Sequence, residues 1–119
     1  MNITIYHNPG CSKSRKTLEL IQAEGIEPRI VEYLTQPPDA QTLLRLAETL
    51  KVSLADLMRK SGDDFKDAAE TVPLEDDAAL AAWLHDHPGV LQRPIVVDED
   101  GQRAVVGRPP ETVFEIIRK

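Results

Sequence analysis

The chain opens on a short alternation, Asn2-Ile3-Thr4-Ile5-Tyr6, in which Ile3 and Ile5 fall on one side. Period-two patterning marks a strand, and Asn8-Pro9-Gly10 supplies a stop. From residue 12 to about 24 the period becomes helical, with Leu18, Ile21 and Leu20 turned inward. Ser12, or the turn before it, is the expected cap, and Gly25 the expected left-handed stop. Arg29-Ile30-Val31-Glu32-Tyr33 reads as a second strand. A strand–helix–strand unit of this length implies two parallel strands joined by a right-handed crossover.

Helical patterning then dominates. After the loop Thr35-Gln36-Pro37-Pro38, Asp39 is placed to cap a helix whose Leu43, Leu46, Ala47 and Leu50 form an i, i+3, i+4, i+7 stripe. Ser53 starts a shorter turn through Leu54, Leu57 and Met58. The segment 61–72 is polar, with a weak helical pattern around Phe65 to Ala69. Asp76 or Asp77 caps a further helix carrying Leu80, Trp83, Leu84 and His87 on one face, ended by Pro88-Gly89. Trp83 is core by its place in that stripe, and His85 and His87 suggest no function.

The last third returns to strands. Pro94-Ile95-Val96-Val97-Asp98, the turn Glu99-Asp100-Gly101 and Arg103-Ala104-Val105-Val106 predict an antiparallel hairpin. Pro109-Pro110-Glu111 opens a closing helix with Val113, Ile116 and Ile117 inward, since proline is tolerated in a first helical turn. The order is β-α-β, then several helices, then β-β-α. This α/β order best fits a thioredoxin-like mixed sheet with a helical insertion over about 39–90, although other small α/β layouts share the pattern.

With 119 residues, one domain with a substantial core is expected. No basic leader, cleavage site or long apolar run is present, so neither a signal peptide nor a membrane span is predicted. The single cysteine cannot form an internal disulfide, which fits a reducing, cytoplasmic setting. A net charge of −6 argues against nucleic acid as a general partner, and no feature asks for more than a monomer.

That lone cysteine stands in the most basic turn of an acidic chain, Tyr6-His7-Asn8-Pro9-Gly10-Cys11-Ser12-Lys13-Ser14-Arg15-Lys16-Thr17. With a strand ending near Tyr6 and a helix starting near Ser12, Cys11 falls at a helix N-terminus. Unpaired amides and the helix dipole there favour negative charge, and Lys13 and Arg15 add to it. Such surroundings lower a thiol pKa from about 8.5 to roughly 3.5–7.5, and the same amides can cradle an oxyanion. A lone cytosolic cysteine is more often a small buried hydrophobe. Gly10, Ser12, Lys13 and Ser14 around it weigh against an oily burial site.

Counting removes several other chemistries. A C-x-x-C exchange site needs cysteine at position 14, which is Ser14. One cysteine and three scattered histidines make poor zinc ligands, so no metal is expected. A tyrosine-phosphatase loop needs arginine where Thr17 stands, and the P-loop motif is absent.

His7-Asn8-Pro9-Gly10-Cys11-Ser12-Lys13-Ser14-Arg15 resembles the H-N-P-x-C-x-x-S-R signature of the glutathione- and glutaredoxin-dependent arsenate reductases. Leu57-Met58-Arg59-Lys60 is similar to that family's central arginine segment. Arg93-Pro94-Ile95-Val96-Val97 and Gly107-Arg108-Pro109-Pro110-Glu111 resemble its two later arginine motifs, in wording nearer to the family's less characterised branch. The likeness runs in order along nearly the whole chain. It implies a thioredoxin-like fold, Cys11 as nucleophile and His7 beside it tuning the thiolate. It further implies Arg59, Arg93 and Arg108 as the arginines that bind arsenate or a similar oxyanion, and Pro94 as a cis proline opposite the cysteine turn. Ser14 and Arg15 are supporting members of the signature. No bound cofactor is implied; glutathione is the co-substrate and glutaredoxin the partner.

Each arginine also has a structural reading, Arg15 as an i, i+4 partner of Glu19 and His7 as a hydrogen-bonded residue at a strand end. Two further functions stay open: thiol transfer on glutathione mixed disulfides, and a binding module. The Spx-type regulators share the fold but usually carry C-x-x-C at this turn.

Overall fold

The computed structural model describes residues 2–58, 73, 76–92 and 94–117. Two compact units are present: Met1–Gln36 together with Arg93–Lys119, and Pro37–Gln92.

The first unit is built on a four-stranded sheet, ordered β2-β1-β3-β4. The central strand β1 covers Ile3–His7, one residue beyond the expected end, and all five of its residues are buried. It pairs in parallel with β2, Arg29–Glu32, with Ile5 opposite Ile30 and His7 opposite Glu32. On its other side β3, Ile95–Asp98, runs antiparallel, placing Ile5 opposite Val96. Helix α1, Ser12–Ala23, makes the crossover between β1 and β2.

The hairpin forms as the pattern predicts, with β3 antiparallel to β4, Arg103–Val106. Its left-handed residue, however, is Gln102 at φ 50°. Gly101 is needed for space instead, since a Cβ there would stand 2.7 Å from Asp98 Oδ2. The Gly101 amide donates to Asp98 Oδ1 at 3.1 Å, and the Arg103 guanidinium donates to Asp98 Oδ2 and to the Ile116 carbonyl, both at 3.3 Å. Buried Asp98 thus ties the hairpin together, and through Arg103 the hairpin holds the closing helix.

That closing helix begins as a 3-10 turn, Pro110–Val113, and continues as α4, Phe114–Ile117. Ile3 and Ile5 of β1, Ile21 of α1, Val96 of β3 and Val113, Ile116 and Ile117 form one buried cluster. Leu18 and Leu20 pack at its edge. Removing such apolar surface from water is the main force holding the unit together.

The second unit bears out most of the helical signals. Helix α2, Ala40–Leu50, is capped by Asp39, whose carboxylate accepts the Thr42 amide at 2.8 Å. Leu43, Leu46 and Ala47 are buried. Ser53 and Asp56 form a capping box on the 3-10 turn Leu54–Leu57. Asp76 accepts two amides, those of Ala78 and Ala79, at the start of α3, Asp77–Asp86. Leu80, Trp83 and Leu84 of α3 are buried, and His87 stacks on Trp83 with ring centroids 4.1 Å apart. The helix expected around Phe65 lies outside the described residues. Among those described, no helix is long and apolar enough to cross a membrane.

Candidate active site

The chain leaves the sheet at His7 and enters α1 at Ser12 through a turn held by its own polar groups. Asn8 Oδ1 accepts the Gly10 amide at 2.9 Å, and the Cys11 amide donates to the Asn8 carbonyl at 3.0 Å. This is the local bond pattern that favours Asn at a turn. Cys11, not Ser12, is the N-cap residue, extended at φ −101° and ψ 123°, and its side chain makes no cap hydrogen bond. The first intrahelical bond runs from the Arg15 amide to the Cys11 carbonyl at 3.0 Å. The amides of Ser12, Lys13 and Ser14 therefore have no carbonyl inside the helix to donate to, and α1 begins as an electropositive end beside a half-buried sulfur.

Arg15 is turned back toward this turn. Its Nη1 donates to the Pro9 carbonyl at 2.8 Å, replacing the expected pair with Glu19. Glu19 is paired with Lys16 instead, at 3.9 Å. A single basic side chain thereby fixes the turn from the helix side and adds positive charge beside Cys11.

His7 is buried at the end of β1, with Nδ1 2.7 Å from the Ser14 hydroxyl. The same hydroxyl lies 3.0 Å from the Asn8 amide. Burial is the largest influence on the imidazole and holds its pKa below the ordinary 6.5. Glu32, opposite it on β2, works against that lowering, and Arg15 adds to it. The ring is therefore neutral at pH 7.

Pro94 and the Gly107-Arg108 segment reach α1 from the other side. Gly107 donates its amide to the Pro94 carbonyl at 2.9 Å, and Arg108 donates its own to Val106 at 2.8 Å. A Cβ at Gly107 would stand 2.7 Å from Thr17 Oγ1 and 2.9 Å from Pro94 Cγ. Only a residue without a side chain allows this approach. Thr17 follows Cys11 by six positions, about 9 Å along the helix axis, so Gly107 meets α1 in its second turn. The Arg108 side chain is exposed.

Arg59 and Arg93 lie outside the described residues, as does the geometry of the Arg93-Pro94 bond. Among the described residues a cis peptide is found at Arg108-Pro109. The sequence places Asn8 in the turn and Gly107 in a later motif but gives neither of them, nor Thr17, a role in holding the site. The contact between Thr17 and Gly107 spans 90 positions and leaves no local trace. Among the described residues no group of three or more His, Cys, Asp or Glu could hold a metal ion.

A family model described as the ArsC family matches residues 6–116, from the strand before the cysteine turn to the closing helix. The chain belongs to the ArsC family. Among curated ArsC relatives it is 43% identical over 116 residues to the uncharacterized protein YfgD of Escherichia coli K12, covering 97% of this chain and 96% of the relative. It is 40% identical over 116 residues to the arsenate reductase of the same strain, covering 98% of this chain and 81% of that one. A solved arsenate reductase from Vibrio cholerae superposes with a TM-score of 0.89 at 40% identity, covering 98% of each chain. The mixed α/β architecture is thus the thioredoxin-like fold of the ArsC family.

Proposed function

We propose that this protein reduces arsenate, with the Cys11 thiolate as nucleophile and glutathione and glutaredoxin as the external reductants. The observation that carries the proposal is the position of Cys11: half-buried and N-cap of α1, at the helix end whose first amides have no intrahelical acceptor. The chain's likeness to an arsenate reductase over 98% of its length supports arsenate as the substrate.

Cys11 thiolate attacks arsenic and, with two protons, expels one oxygen as water. Glutathione thiolate then attacks the Cys11 sulfur; the S–As bond breaks and its electron pair stays on arsenic, which leaves as arsenite. The two sulfurs have each given up one electron, and Cys11 is left in a mixed disulfide with glutathione. A second thiol must remove that glutathione. The chain has one cysteine, so the resolving thiol comes from outside, and glutaredoxin is the donor that the family resemblance implies.

Arsenate carries charge that repels a thiolate, and guanidinium groups offset it with paired, planar donors. Arg59, Arg93 and Arg108 are assigned that role. Arg15 and Ser14 hold the turn, and His7 is a neutral neighbour of the nucleophile. The enzyme acts in the cytoplasm as a monomer, its product passing to whatever removes arsenite.

A coupled assay tests this: arsenate-dependent NADPH oxidation through glutathione reductase, glutathione and glutaredoxin. Wild type turns over; Cys11→Ser does not. Activity on a glutathionylated peptide without any response to arsenate would replace the proposal with a thiol-transfer function.

A further inference from the structure

We infer that Ser14 is a positioning residue: its buried hydroxyl donates to Nδ1 of His7, holds that ring as the tautomer protonated on Nε2, and so anchors the turn that presents Cys11. The inference rests on Cys11 being the reactive group and is independent of arsenate.

Proton counting leads to it. A serine hydroxyl has one proton and two lone pairs. The Asn8 amide can only donate, and at 3.0 Å it occupies one lone pair of Ser14 Oγ. The hydroxyl proton must then go to an acceptor. Thr17, one turn on, donates its proton back to the Lys13 carbonyl at 2.8 Å, the usual choice for a hydroxyl on a helix. Ser14 makes no such bond to the carbonyl of Gly10 or Cys11; among the described residues, its other partner is Nδ1 of His7 at 2.7 Å. Were Nδ1 the donor, both lone pairs would be filled and the hydroxyl proton of a fully buried serine would have no acceptor among the described residues.

The result is a three-point latch. It joins the end of β1 at His7, the turn at Asn8 and the third residue of α1 at Ser14, and it encloses Cys11. Among the described residues, the charged groups that act on the imidazole are Glu32 from β2 and Arg15 from α1, in opposite directions. With a neutral His7, compensation of the Cys11 charge falls to the helix amides and to basic side chains, Lys13 and Arg15 among them.

Two measurements on the full chain test the latch. In the first, nitrogen-resolved NMR of 15N-histidine protein at pH 7 should show His7 bare at Nδ1 and protonated at Nε2. A proton on Nδ1, or a doubly protonated ring, overturns the inference without need of any variant. In the second, the rate of Cys11 alkylation by iodoacetamide is followed against pH. Ser14→Ala should slow it at pH 7 by roughly fivefold to tenfold, the rate equivalent of about one hydrogen bond, and let His7 titrate at higher pH. His7→Asn, whose amide oxygen can accept from Ser14 but never carries charge, should alkylate several-fold faster than His7→Ala. Wild-type reactivity in Ser14→Ala, or equal rates for the two His7 variants, overturns it. Neither experiment contains arsenate, so the latch and the reductase proposal stand or fall separately.

Discussion

Thr17 and Gly107 touch so closely that a Cβ on the glycine would lie 2.7 Å from the threonine Oγ1 and 3.1 Å from its Cγ2. Helix α1 and the segment that carries Arg108 are packed backbone against side chain at this point. Gly107→Ala is therefore expected to cost about 1–3 kcal/mol, the range for overpacking a tight site. Thr17→Ala in the same chain should recover part of that loss, since two of the three close atoms belong to Thr17, while Pro94 Cγ at 2.9 Å remains. A double-mutant cycle by urea unfolding checks this; strict additivity would show that the contact carries no strain.

Arg15 and the Pro9 carbonyl, 2.8 Å apart, predict a residue that acts on reactivity more than on stability. Arg15 is exposed, so Arg15→Gln should leave the unfolding midpoint nearly unchanged. Its loss frees the turn and removes a positive charge near the sulfur, and Cys11 alkylation at pH 7 should slow by about threefold to tenfold. Arg15→Lys should fall between the two, keeping charge without the guanidinium's fixed donor geometry.

Acid should weaken the fold in two windows. The folded-state pKa of His7 lies below its ordinary 6.5, so the unfolded chain binds the proton more readily. Stability from this group is complete above about 6.5 and is lost as pH falls through the lower folded value. Asp98 follows at lower pH. Burial raises its pKa, but the Gly101 amide and Arg103 outweigh that and hold it below 3.8, so its contribution is present above about 4 and lost beneath. Urea midpoints measured from pH 8 to 3 should show both steps, and His7→Asn should remove the upper one alone.

Arg108, exposed at the Gly107 approach, should reveal itself in substrate affinity. Arg108→Lys is expected to raise the KM for arsenate roughly tenfold, the loss of one charge-assisted hydrogen bond, with little effect on the unfolding midpoint. An unchanged KM would remove Arg108 from the oxyanion site while leaving Cys11 in place.

Much of this molecule is written locally. Asp39 and Asp76 cap their helices because a short carboxylate reaches its neighbours' amides, and Gly25 takes φ 77° at the end of α1, as the pattern expected. Cysteine number and the Asn-Pro-Gly turn likewise determined that one thiol opens a helix in a basic setting. These are interactions across a few residues, and sequence spacing encodes them directly.

Tertiary structure decided the rest, because it depends on what distant segments press together. Only the packed sheet shows that β1 runs on to His7 and buries it, and that burial lowers the pKa of the imidazole. Arg15 chose the Pro9 carbonyl over Glu19, a competition between a turn and a helix face that spacing alone cannot settle. Gly107 gives no sign of its role until Thr17 arrives from 90 residues away, since the space it leaves is defined by another element's side chain.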